Sequence, residues 1–337
     1  MARLQSPLQK MTVLILLLAI LIFTFAASVS LGSYRISLYD VCQSFLNFNS
    51  SSTEHILVMN TRFPRAVVAA TVGACLAVAG ALTQALTKNP LAAPSVLGIN
   101  AGAVFFAVVA ASMPNILPPV SIVWAAFGGA AISSAAVYFL GSIGRDGLTP
   151  IKIILAGSAI TALFTSFTQG LLVLSESGMK NTLSWLAGAI VGRNLEHQEM
   201  VLPYMIIGML LAFILAVHIN ILTSGDDVAK GLGQRTGIVK LLISVSVILL
   251  AGSSVAIAGS IGFIGLMVPH ISRFFVGRDH RWIIPYSAVM GASLLLLADI
   301  SARFIIMPSE APVGVMTAVI GVPFYIYIAR RSLRGEK

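Results

Sequence analysis

Residues 11–32 read Met11-Thr-Val-Leu-Ile-Leu-Leu-Leu-Ala-Ile-Leu-Ile-Phe-Thr-Phe-Ala-Ala-Ser-Val-Ser-Leu-Gly32, with no charged side chain. At about 1.5 Å per residue such a run reaches across a hydrocarbon core of roughly 30 Å, and it exceeds the 7–15 apolar residues of a secretory signal core. Arg3 and Lys10 precede it. It therefore reads as an uncleaved first membrane span with its N-terminus on the cytoplasmic side.

The rest of the chain repeats the pattern. Further apolar runs lie at about 64–84, 96–112, 119–142, 151–174, 199–223, 238–257, 261–277, 283–301 and 312–329. Of the 337 residues 57% are hydrophobic and 10% charged, and the mean hydropathy is +0.94. A soluble domain carries about 25% charged residues, so a soluble enzyme, a disordered tail and a nucleic-acid-binding module are excluded. The expectation is an all-α polytopic membrane protein of about ten transmembrane helices, a single domain over 1–337 embedded in lipid, with no room for a soluble domain. An even number of spans returns the C-terminus to the cytoplasm. On that topology 15 of the 21 Lys and Arg residues lie inside, while Arg35, Arg62, Arg65, Lys180, Arg193 and Arg303 lie outside; the formal charge of +9 then reflects membrane orientation.

Intramembrane catalysis or proton coupling would place Asp, Glu or His at mid-span, where a charge is costly and kept for use. Such positions are nearly empty. Asp299 and Arg303 stand four apart near the outer end of a span, the spacing of a helical ion pair. His218 and His270 read as packing histidines, with a proton relay as the alternative for His270. No metalloprotease, nucleophile-elbow or phosphate-loop motif occurs, and Cys42 and Cys75 offer neither metal-ligand spacing nor a disulfide framework. Active transport would draw its energy from a partner or an ion gradient.

Small residues are dense in the runs, as close helix packing in lipid requires. Ala77-Val-Ala-Gly-Ala81 resembles Ala256-Ile-Ala-Gly-Ser260, each glycine standing ten residues before a proline, Pro90 and Pro269. The two copies enter from opposite sides, a weak inverted repeat of the kind found in transporters. Helix interruptions are expected at Asn89-Pro90-Leu91 and from Gly259 through Gly262 to Gly265, ahead of Pro269, leaving backbone groups beside a cavity. The polar segment 224–237 reads either as a solvated hairpin or as a short helix capped by Asp226 or Asp227 and turned by Gly231 and Gly233. Arg62 and Arg65, flanking Pro64, and Arg303 run against the positive-inside tendency. Spacing leaves interfacial snorkelling and an external docking surface for carboxylates equally open.

Taken in order, several stretches resemble the FecCD family of permease subunits of ATP-binding-cassette importers for iron-siderophores, haem and cobalamin. They are Arg62-Phe-Pro-Arg65, Gly73 to Gln84 followed by Lys88-Asn-Pro-Leu-Ala-Ala-Pro-Ser-Val-Leu-Gly98, Ile154-Leu-Ala-Gly157, Trp185-Leu-Ala-Gly188, Gly231-Leu-Gly233, Gly262-Phe-Ile-Gly-Leu-Met-Val-Pro-His270, Ala298-Asp-Ile-Ser-Ala-Arg303 and Glu310-Ala-Pro-Val-Gly314. The resemblance covers nearly the whole chain. It implies a second permease subunit, identical or homologous, two cytoplasmic ATP-binding subunits that hold the ATP and magnesium, and an extracytoplasmic substrate-binding protein. No cofactor or metal belongs to this chain, no catalytic residue is expected, and nucleic acid is not a partner. It also implies that Arg62, Arg65 and Arg303 receive glutamates of the binding protein, and that Asp226, Asp227, Lys230, Gly231, Leu232, Gly233, Gln234 and Arg235 form the coupling segment. The family often has Asp where Ala93 stands, so Ala93 carries no role. Thr149 and Pro150 occupy the place of a cytoplasmic gate whose hydroxyl chemistry does not transfer. The cargo implied is a ferric siderophore, with cobalamin or haem as alternatives. An ion-coupled secondary transporter or an intramembrane hydrolase are the rivals from other classes.

Overall fold

A computed structural model describes residues 4–32, 34–113, 120–144, 148–174, 187–190, 195–306 and 309–333. Arg145, Lys180, Arg193 and the Trp185-Leu186 half of one motif lie outside the described residues. Among the described residues there is helix and no strand. Ten apolar helices follow in chain order: α1 Pro7–Ser30, α2 Thr53–Leu86, α3 Ile99–Ala111, α4 Val120–Ser142, α5 Pro150–Leu174, α6 Leu195–Thr223, α7 Thr236–Ala258, α8 Ile264–Val276, α9 His280–Ile305 and α10 Val313–Leu333. Each overlaps one of the runs read from the sequence, with α2 starting eleven residues earlier than its run at 64. Seven are long and apolar enough to cross a membrane; α3, α8 and α10 are shorter.

Local chemistry sets the ends. Ser6 caps α1 by accepting from Gln9 N–H while the Gln9 side chain reaches back to Ser6 N–H, and Pro7 opens the helix. The Thr149 hydroxyl accepts from Lys152 N–H ahead of Pro150, so these two residues form the start of α5. Pro64 lies inside α2 and has no N–H to return to the preceding turn. Residues Val58–Arg62 just before it widen into a π-turn.

The core is α2. Of its most apolar stretch 78% is buried, against 17% for α1 and 22% for α5, which places α2 at the centre and the other two at the periphery. Backbones touch where glycines face each other. A Cβ on Gly73 would meet the carbonyl of Gly291 in α9, and one on Gly80 would land on the carbonyl of Gly265 in α8. Such approaches are how helices gain contact in lipid, where apolar burial alone gives no drive.

Two breaks in helix occur, one at Asn89-Pro90-Leu91 and one at 259–263, shorter than the Gly259–Gly265 interruption expected, since Gly265 already lies in α8. Between α2 and α3 the chain runs without α-helix through a 3-10 turn at Pro94–Leu97 to Gly98, whose φ is +69°; between α7 and α8 it turns at Gly259 and Phe263, with φ of +71° and +67°. Both breaks pack together. Asn100 donates to Ser260 (3.1 Å), Pro94 abuts Gly265, and Gln84 Nε2 donates to the carbonyls of Gly265 and Leu266 (3.3 and 3.2 Å). Ser133 and Ser134 in α4 donate to the carbonyls of Gly98 and Leu97 (2.7 and 3.1 Å). Backbone carbonyls at the edges of the breaks are thus met by neighbouring side chains, as non-helical backbone inside a membrane protein requires. At 13 residues each, α3 and α8 are about 20 Å long, so the runs 96–112 and 261–277 are helices lengthened by non-helical approaches. The two copies of the sequence repeat differ in conformation: Gly80 lies in mid-helix, whereas Gly259 ends α7, and Pro90 lies outside helix while Pro269 lies within α8.

Gly80→Ala should force α2 and α8 apart at the cost of about 1–3 kcal/mol. Gly128→Ala, where a Cβ meets nothing within 4 Å, should be neutral. Thermal unfolding of the detergent-solubilised protein checks both.

Candidate functional site

At one end of α2 three guanidiniums gather. Arg62, in the π-turn, donates to the carbonyls of Val29 (3.4 Å), Ser30 (3.2 Å) and Tyr34, and glycine at position 32 leaves the room it fills. Arg65 places Nε on Asp299 (2.9 and 3.1 Å) and Nη1 on Glu310 (2.6 Å). Arg303 also takes Asp299 and donates to the carbonyls of Ser28 (2.6 Å) and Leu31 (2.8 Å). The Asp299–Arg303 pair expected from spacing is present, and Arg65 joins it from a distant part of the chain. Asp299 is fully buried, and Arg62, Arg65 and Arg303 are 8%, 6% and 3% exposed. The three residues therefore come together as the sequence suggests, but they face inward onto internal acceptors and do not snorkel. The outward member is Glu310, whose side chain is one-third exposed. Neither Asp299 as the hub nor Glu310 as a ligand was singled out from the sequence.

At the other end lies the segment 224–237. It holds a helix at Asp226–Gly231 that begins at Gly225, with no side-chain cap. Neither Asp226 nor Asp227 is the capping residue: Asp226 turns its carboxylate to Lys88 Nζ (2.7 Å) and Lys240 Nζ (2.6 Å). Both aspartates still sit in the first turn, where negative charge suits the helix dipole. Burial would raise the Asp226 carboxyl, but the hydrogen bonds from Lys240 and then Lys88 outweigh it and hold it below the usual carboxylate range. Gly233, at φ +79°, turns the chain, and Gln234 ties the turn to the His218 carbonyl (3.0 Å). Asp227, Lys230, Gly231, Gly233 and Arg235 are exposed, as are the apolar Val228 (52%) and Leu232 (69%). This short helix, with Leu232 at its end, thus shows two apolar side chains among charges.

Lys240 lies one turn inside apolar α7 and is itself buried; besides Asp226 it donates to the carbonyl of Leu148 (3.1 Å). In the sequence it is one of the 15 basic residues on the cytoplasmic side. A lysine just inside an apolar run was the available signal. Beside this region a cavity of about 890 Å³ is lined by Gln84, Lys88, Pro90, Asn220 and Arg273 among others. Gly262 and Asn89 belong to the two breaks, and Pro269 lies within α8, where the ring of His270 packs edge-on against Phe324.

Helix α5 presents a third feature. Ser158, Ala162, Thr165 and Gln169, at i, i+4, i+7 and i+11, are all exposed and share one face. Hydroxyl and amide groups in lipid are unfavourable, so this stripe fits a face turned to a polar space or a protein neighbour.

Asp299→Asn should remove the shared carboxylate from two buried guanidiniums and destabilise the protein by about 3–5 kcal/mol. Arg281→Ala, which removes the exposed partner of Asp279, should cost under about 1 kcal/mol. Denaturation of the purified protein in detergent separates the two.

Residues 20–331 match the model of the FecCD transport family. Among curated relatives, the "Probable siderophore transport system permease protein YfiZ" of Bacillus subtilis strain 168 is 52% identical, covering 96% of this chain and 97% of its own. The Fe(3+)-citrate import system permease protein YfmD of the same organism is 43% identical over 96% of each chain, and the ferric enterobactin transport system permease protein FepD of Escherichia coli K12 is 38% identical over 95% of each. A solved structure described as an inward-facing conformation of a metal-chelate type ABC transporter superposes with a TM-score of 0.83 at 26% identity, over 95% of this chain and 99% of that one. The chain is a multi-pass membrane protein and belongs to the FecCD transport family.

Proposed function

We propose that this chain is the transmembrane permease subunit of an ATP-binding-cassette importer that carries a ferric siderophore across the cytoplasmic membrane. The observation that carries the reading is full-length likeness to permeases named for siderophore, ferric citrate and ferric enterobactin transport. The names of those relatives favour an iron chelate over cobalamin or haem.

The geometry supports a division of labour. The exposed helix Asp226–Gly231 with Leu232 is the surface on which an ATPase subunit docks, so ATP hydrolysis takes place in the partner. The polar stripe of α5 lines the pathway against a second permease, and both termini lie in the cytoplasm. The substrate-binding protein docks over Arg62, Arg65 and Arg303. Because these guanidiniums are engaged internally, an incoming carboxylate takes the place of Glu310 on Arg65 Nη1, the contact nearest solvent. Docking outside must then alter nucleotide affinity inside by the same factor that nucleotide alters docking, a coupling of typically about 1–3 kcal/mol.

The test is uptake of radiolabelled ferric siderophores, cobalamin and haem in cells with and without the gene. Selective loss of one ferric chelate is expected; unchanged uptake of all chelates, or loss of cobalamin or haem alone, overturns the cargo. For the docking surface, Glu310→Gln should preserve uptake per folded permease, and Arg65→Gln should abolish it. Equal uptake in the two variants removes the docking role.

A further inference from the structure

The sequence marked two places near the inner ends of the helices where the pathway is interrupted, Asn89-Pro90 and Thr149-Pro150. The structure ties both to one atom group. Lys88, the residue before Asn89, is held at φ +49°, a left-handed conformation costly for a side-chain-bearing residue, and its ammonium sits on Asp226 Oδ1. Lys240 places its ammonium on Asp226 Oδ2 and on the carbonyl of Leu148, the residue before Thr149, which starts α5. Asp226 in turn belongs to the short exposed helix on which the ATPase is read to dock.

We infer that Asp226, Lys88 and Lys240 form an ionic relay that carries movement of the Asp226–Gly231 helix to both inner interruptions, with Lys240 as the positioning residue for the start of α5. This deepens the importer reading and rests on it. The physical argument is one of range. Charge-assisted hydrogen bonds of this kind hold at about 2.7–2.9 Å and are lost beyond about 3.5 Å. Helix shifts in switching transitions are about 1–2 Å. A shift of that size at the docking helix therefore drags Lys88 and Lys240 with it or breaks their contact with Asp226. Either result alters what holds Leu148, and with it the polar stripe of α5.

The site is built for such a role. Asp226 is partly exposed, so its two bonds are exchangeable, whereas Lys240 is buried and must keep an acceptor. When Asp226 withdraws, the Leu148 carbonyl is the acceptor that remains.

The experiment uses the permease reconstituted in proteoliposomes with its ATPase subunits and binding protein, reading ferric siderophore imported per ATP hydrolysed. Asp226→Asn and Lys240→Met are expected to lower that ratio about fivefold or more while hydrolysis persists. Lys240→Arg, which keeps a cation able to reach both acceptors, is expected to retain it. A wild-type ratio in Asp226→Asn overturns the relay, as does a loss of import and hydrolysis in equal proportion, which a purely structural role would give. If Lys240→Met fails to fold, Asp226→Asn, a change at the partly exposed surface, decides alone. Absence of ATP-driven import of any ferric chelate by the wild-type complex overturns the importer reading, and the relay with it.

Discussion

Helix α2 has almost no free face, and the rest of the chain is arranged around that fact. In lipid, apolar burial offers no gain over contact with acyl chains, so a central helix is held by close packing and by hydrogen bonds that have no competitor. The small residues of α2 allow the first: Gly73 lies against Gly291 and Gly80 against Gly265, with α9 and α8 pressed backbone to backbone. Arg65 near one end and Gln84 near the other provide the second. Arg65 and Lys88, which follows the last turn, are joined by a helical path of about 35 Å. One rigid element thus links the guanidinium cluster to the lysines on Asp226.

The two ends handle charge in opposite ways. At the Arg65 end Asp299 is wholly buried and shared by two guanidiniums, of which Arg65 also holds Glu310 and Arg303 also donates to the carbonyls of Ser28 and Leu31. Removing charges from water is costly, and breaking one member of such a buried cluster would strand the others, so it behaves as a fixed joint. At the Lys88 end a single carboxylate, one-third exposed, stands between two ammoniums. Water can replace the Lys88 bond at small cost, and buried Lys240 has the Leu148 carbonyl as a second acceptor, so this contact is suited to being made and broken. The difference lies in burial and in the cation, forked guanidiniums at one end and compact ammoniums at the other.

The breaks in α-helix follow the same logic. Beside the breaks at 87–98 and 259–263, the Leu97 carbonyl is taken by Ser134, Gly98 accepts from Ser133 as well as from Gly102 N–H, and the carbonyls of Gly265 and Leu266 in the first turn of α8 accept from Gln84. Because the two breaks pack on each other, neither can move without disturbing the other. The polar stripe of α5 follows the Leu148–Thr149 turn, whose Leu148 carbonyl Lys240 holds, so a peripheral helix is anchored at its start by a buried lysine of α7.

What the sequence determined by itself is the number and place of the apolar helices, the sites of the breaks, and the family. These depend on local quantities: hydropathy over about 20 residues, proline and glycine positions, and contiguous motifs. It also singled out Arg62, Arg65, Arg303 and the 226–235 segment. It did not determine what those charges touch. Docking and snorkelling stood equal for the arginines on spacing alone, and Asp226 looked like a cap, because the choice of partner for a charge is made by residues far along the chain. Asp299 and Glu310 stand 234 and 245 positions from Arg65, and Lys88 stands 138 from Asp226. Only the packing of α2 against α9, and of the Asp226–Gly231 helix beside α7, brought those partners within about 3 Å, the distance at which a charge selects one acceptor over water.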